Sequence, residues 1–264
     1  MRSVRLPGWN AAIRYHELPG ADPAVVFVHG LGAASSSDMV GVACLPPFAR
    51  RRRLLIDLLG FGYSDRPYGC RYRLVDHARS VAAVLDAAGA GACRVIGHSM
   101  GGTVAITLAA LRPDLVSALV VAEGNLDPGV GTGSVEIGAW SEADFVSRGH
   151  AFMLGRLLAE ARAGDPAVGA YVGAFRLAAP HAVHRSAVGL LARTRPTARE
   201  SLYLFPGPKA FVFGERSLPD PDQEALTQHG VAVVVVPGAG HAMMVEASEA
   251  FARLVGRFLG PAAG

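Results

Sequence analysis

The chain has 264 residues, 51% of them hydrophobic and 18% charged, a balance that allows one well-buried α/β domain and excludes a disordered chain. No apolar run approaches the roughly 20 residues needed to cross a bilayer, and MRSVRLPGWNAAIRYHELPG at the N-terminus has no signal-peptide core, so a soluble protein without membrane contact is expected. The net charge of +3 comes from arginines scattered along the chain. Their one run, Arg50 to Arg53, reads as a solvated helix end before a strand, so nucleic acid is not an expected partner. A hairpin is expected first, over Val4–Leu6 and Ala12–His16. Short apolar, β-branched runs then predict strands at Val25–Val28, Leu54–Ile56, Arg94–Ile96, Ala118–Ala122, Ala210–Phe213 and Val231–Val236. Helical patterns alternate with them. Leu74, Ala78, Val81, Ala82 and Leu85 make one stripe of a helix that Gly89 stops. Thr103–Leu111 and Ala247–Leu259 are two more helices.

The alternation fails between about Asn125 and Pro208, where helical patterns follow one another without a strand. Ser141 with Asp144 makes a capping-box start, and Asp165-Pro166 is a good cap and first-turn pair. A helical insert between two core strands reads as a lid. The expected organisation is a core of residues 1–124 and 208–264 with a helical lid at 125–207. Cys44, Cys70 and Cys93 lack metal-site spacing and read as reduced thiols of a cytoplasmic protein.

Chemistry concentrates at three points. Ser99 sits in Gly97-His98-Ser99-Met100-Gly101, directly after a strand and before a helix rich in small residues. A sharp strand-to-helix turn there lifts the serine oxygen above the sheet edge, and side chains at the two glycine positions would clash as the chain reverses. The second point is His29-Gly30-Leu31-Gly32, after the strand Val25–Val28. A loop there sets the Leu31 amide beside that of Met100, and two such donors stabilise a developing oxyanion. His29 itself reads as a buried structural residue. The third is His241, in Pro237-Gly238-Ala239-Gly240-His241 after the last strand, the best general base for a serine hydroxyl. His77, His150, His181 and His184 read as packing or surface residues.

In HGLG at 29–32, DLLGFGYSDRP at 57–67, GHSMGG at 97–102 and PGAGHAMMVE at 237–246 the chain resembles the α/β-hydrolase-fold superfamily over nearly its whole length. The resemblance implies a mostly parallel eight-stranded sheet with flanking helices, a helical lid after strand six, and a serine nucleophile where epoxide hydrolases and haloalkane dehalogenases of similar fold carry aspartate. It implies structural roles for Asp57 and Asp65. It also leads one to expect an acid shortly after Gly214, where the sequence departs from the pattern: Arg216 and Ser217 occupy those positions, with Asp220 and Asp222 further on. Relatives also carry the acid after strand six, and there Glu123 stands. Glu123 is the preferred acid and Asp220 the alternative. Met243, Met244, Trp140 and Phe152 are expected to help form a mainly apolar pocket. The function expected is hydrolysis of a small or medium hydrophobic ester, or another acyl substrate, through an acyl-enzyme, with no cofactor and no metal. An acyltransferase using the same site and a non-catalytic binding protein of the same fold are the alternatives.

Overall fold

The computed structural model describes residues 1–261; the last three residues of the expected core lie outside the described residues. Eight strands make one sheet: β1 (Arg2–Leu6), β2 (Ala11–Leu18), β3 (Ala21–Val28), β4 (Arg51–Asp57), β5 (Cys93–His98), β6 (Val116–Ala122), β7 (Lys209–Gly214) and β8 (Ala232–Val236). Their spatial order is β1-β2-β4-β3-β5-β6-β7-β8. β2 pairs antiparallel with both β1 and β4, and every other pairing is parallel.

The strands read as continuous apolar runs because both faces of the sheet are covered. On β4, Leu54 and Ile56 share a core with Val81 and Leu85 of the helix Leu74–Ala87 and with Val104 and Leu108 of the helix Met100–Leu111. Leu55, pointing the other way, packs with Phe27, Phe48, Phe251 and Val255. Phe27 and Phe48 meet edge to face at 5.5 Å, and truncating either buried ring to alanine would cost about 3–5 kcal/mol.

The Arg50–Arg53 run corrects the expectation of a solvated helix end. Arg50 is exposed, but β4 begins at Arg51, and Arg51 and Arg53 are only 2% and 7% exposed. Carbonyl oxygens make this tolerable: Arg53 donates to Ala43 O at 3.1 Å and Pro19 O at 2.7 Å, and Arg51 to Gly260 O. Arg52 pairs with Glu17. These guanidinium groups are consumed within the fold.

Between β6 and β7 the described residues are helical or irregular, with the longer helices at His150–Arg162, Pro166–Leu177 and Pro180–Leu191. Ser141 accepts from the Asp144 amide at 3.1 Å, and Asp165 from the Ala167 and Val168 amides. The first helix then passes through a π-helical turn, Phe145–Gly149. Arg185 ties this segment to the core, donating to the Tyr68 and Cys70 carbonyls and to Glu142. Among the described residues no helix is long and apolar enough to cross a membrane.

Candidate active site

β5 ends in a reversal that only small residues permit. A Cβ on Gly97 would collide with the Gly101 carbonyl, and one on Gly101 with the Val28 carbonyl, so the turn and the neighbouring strand lie backbone to backbone. Ser99, between them, has φ 52° and ψ −123°. A side-chain-bearing residue at positive φ costs about 1–3 kcal/mol, a strain that persists only where its surroundings impose it. Here the Ser99 amide donates to Ala122 O at 2.8 Å, and its carbonyl accepts from the Gly102 amide at 2.9 Å. The hydroxyl makes no hydrogen bond among the described residues and faces a cavity of about 850 Å³.

His241 lines the same cavity, and its Nδ1 lies 3.3 Å from Oε2 of Glu123. Glu123 stands one residue past β6 at φ 48°, the other oxygen of its carboxylate accepting from the Gly214 amide at 2.9 Å. Burial acts to raise the Glu123 pKa, yet the hydrogen bonds from His241, the Gly214 amide and Ser217 hold it below the ordinary value. An ionised carboxylate can only accept, so Nδ1–H of His241 donates to Glu123, and in the neutral imidazole Nε2 is then the acceptor nitrogen. Asp220 also reaches the cavity wall, but its carboxylate accepts from the Asp222 amide at 2.8 Å and, among the described residues, forms no hydrogen bond or ion pair with His241.

The amides of Leu31, which lines the same cavity as Ser99, and of Met100, the next residue in the chain, have no hydrogen-bond acceptor among the described residues. The Gly30 carbonyl, in the same peptide group as the Leu31 amide, accepts from His29 Nδ1 at 2.7 Å and the Ala33 amide at 3.2 Å. His29 is fully buried and its Nε2 accepts from the Leu58 amide at 3.0 Å; burial lowers its pKa, so it stays neutral. Asp57 accepts from Ser36 and the Tyr63 amide, and Asp65 from Arg14 and the Ala12 amide, each bracing a turn.

The alpha/beta hydrolase fold family matches residues 23–147. A 2-hydroxymuconate semialdehyde hydrolase of Pseudomonas putida is 35% identical over 123 residues, which are 46% of this chain and 42% of that protein. Two solved structures superpose over almost the whole chain. A thermophilic esterase from Thermogutta terrifontis gives a TM-score of 0.79 at 22% identity, covering 94% of this chain and 93% of its own. An enol-lactonase from Burkholderia xenovorans gives 0.80 at 20% identity, covering 98% and 100%. The chain has the α/β-hydrolase fold. The matched segment spans less than half the length of the first curated relatives. The family match at residues 23–147 takes in most of β3, all of β4, β5 and β6, and the turn at Ser99.

The pocket wall differs from the sequence expectation. Of the four residues expected there, Met244 lines the cavity and Met243, Trp140 and Phe152 do not. Met243 is sealed in the core, Trp140 packs within the helical segment beside Gly149, and Phe152 is 60% exposed on the outer side of its helix. Met153, one residue on, turns inward instead. The wall is also more polar than expected, with Arg156 held bidentately by Glu136, and Arg199 by Asp127 and Asp222.

His98 is a site residue that sequence reasoning passed over. Its Nε2 lies 2.8 Å from His241 O, and since a carbonyl only accepts, Nε2 carries the proton. The two imidazole rings are 4.7 Å apart. Burial, and then the neighbouring His241, lower its pKa to about 3, so it is a neutral donor. The one signal for it was its place inside the elbow motif. Among the described residues no group of three or more His, Cys, Asp or Glu side chains could hold a metal ion.

Proposed function

We propose that the protein is a serine hydrolase acting on a small or medium, largely neutral and hydrophobic carboxylic ester. The observation that carries this is the unbonded Ser99 hydroxyl opening on the same cavity as an imidazole whose Nδ1 faces an ionised carboxylate. In the proposed cycle His241 Nε2 takes the Ser99 proton as Oγ attacks the ester carbonyl. The Leu31 and Met100 amides hold the oxyanion, a contribution of several kcal/mol to the barrier. His241 returns the proton to the leaving alcohol, and water activated by the same nitrogen releases the acid and restores Ser99. Glu123 keeps the imidazole in the tautomer this requires.

The cavity supports the substrate class. Leu31, Leu126, Ile137, Met153, Leu157 and Met244 supply apolar wall, and both arginines in it are neutralised by carboxylates, which leaves no cation to anchor a charged acyl chain. Residues 125–207 act as a lid that excludes water from the acyl-enzyme. Free Cys44, Cys70 and Cys93 suit a reducing cytoplasmic setting. Hydrolysis of matched p-nitrophenyl acetate, butyrate and octanoate by the wild type and Ser99→Ala tests the proposal. Turnover by the wild type that falls at least a thousandfold in Ser99→Ala is expected, and turnover that survives the substitution overturns it.

A further inference from the structure

We infer that Tyr171, on the helix Pro166–Leu177, is a positioning residue that holds the Gly30-Leu31-Gly32 turn in the shape that presents the Leu31 amide. The inference rests on the reading of Leu31 and Met100 as oxyanion donors. Two peptide groups meet at Leu31. The one before it is fixed from the sheet side, because the Gly30 carbonyl accepts from His29 and the Ala33 amide. The one after it is fixed from the helical segment, because Tyr171 donates its phenol proton to Leu31 O at 2.9 Å. Neither set alone fixes both planes.

Gly32 shows how closely the helix sits on this turn. Its φ is +73°, and a Cβ there would strike the Tyr171 oxygen and come within 2.6 Å of the Phe175 ring. Phe175, one helical turn beyond Tyr171, is itself clamped, its ring stacked on His150 at 4.6 Å with an 8° tilt. The donor persists over a wide pH range, since burial and the nearby Asp38 push the phenol upward from its ordinary pKa. Tyr171 and Leu31 both line the cavity above Ser99. The helical segment thus carries one of the supports of the oxyanion site, and lifting that helix would release the turn.

The test is Tyr171→Phe, which keeps the ring against Gly32 and removes only the hydroxyl. Losing one oxyanion donor outright costs about 10²–10³ in rate, and a loosened donor less, so kcat for p-nitrophenyl butyrate should fall about 10–100-fold with KM within twofold. Inhibition by an alkyl trifluoromethyl ketone, which forms a tetrahedral adduct, should weaken by the same factor. Hydrogen exchange of the peptide spanning residues 29–36 should quicken several-fold while the melting temperature stays within a few degrees. A raised KM with unchanged kcat would make Tyr171 a substrate contact and overturn the inference, as would unaltered exchange of that peptide. The exchange experiment needs no turnover. A protein without Ser99-dependent activity would refute the hydrolase reading, and the exchange rates would still decide the role of Tyr171 in shaping the turn.

Discussion

Replacing Glu123 by glutamine changes no more than one oxygen for an amide nitrogen, and the two contacts of that carboxylate set the consequence. One oxygen accepts from the Gly214 amide at 2.9 Å and the other faces His241 Nδ1 at 3.3 Å. Glutamine offers one acceptor where two are needed. If its carbonyl stays on Gly214, its NH2 faces His241 and forces Nδ1 to accept, which moves the proton to Nε2 and leaves nothing to receive the Ser99 proton. If the amide flips, two N–H groups oppose one another at Gly214 in a half-buried site, at a cost of about 1–3 kcal/mol. Either way the negative charge opposite the imidazolium is gone. Wrong tautomer and lost charge together lower kcat by about 10⁴ in a serine protease whose triad acid is made an amide, and a fall of about 10³–10⁴ is expected for Glu123→Gln. The assay is initial-rate hydrolysis of p-nitrophenyl butyrate by purified protein, with the melting temperature as a folding control and Asp220→Asn as comparison. Asp220→Asn should keep kcat within about threefold. A Glu123→Gln enzyme with a tenth or more of wild-type kcat, or a collapse in Asp220→Asn, would refute the reasoning.

Two further outcomes follow from groups around the cavity. His98→Leu removes the donor to the His241 carbonyl, a neutral hydrogen bond worth about 1 kcal/mol, so kcat should fall roughly fivefold, and His98→Gln, whose amide can still donate, should restore most of it; equal rates in the two variants would refute the assignment. Asp38 lines the cavity with its carboxyl raised by burial from 3.8 to about 6. The folded state therefore binds that proton more tightly than the unfolded chain, and the stability it lends is present below pH 3.8 and lost as the pH rises to about 6. Asp38→Asn should raise the melting temperature by a few degrees at pH 8, equivalent to about 1–3 kcal/mol, and leave it unchanged near pH 3.5. A fall at pH 8 would refute this.

Much of the fold was legible because sheet strands buried on both faces advertise themselves as apolar runs. Leu54-Leu55-Ile56 and Ala118–Ala122 need no partner to be recognised, and Gly97 and Gly101 mark the reversal that carries Ser99. Arg51 and Arg53 were not legible, since what admits them to β4 is a set of carbonyls at Pro19, Ala43 and Gly260, far off in sequence. The cavity wall was read least well. Helical periodicity shows that one face of a helix is buried but not against what, and a 100° step separates exposed Phe152 from cavity-lining Met153. The choice between Glu123 and Asp220 stayed open for a related reason. Both lie near the carboxyl edge of the sheet, and only the path of the chain after Gly214 decides which carboxylate faces His241.

The central claim is that Ser99 is an activated nucleophile, and covalent labelling tests it most directly. Incubation of the full chain with a fluorophosphonate, followed by intact mass and peptide mapping, should give a single adduct on Ser99. The adduct should be absent in Ser99→Ala and at least a hundredfold slower to form in His241→Ala. An unlabelled wild-type protein, or an adduct on a different residue, would contradict the account.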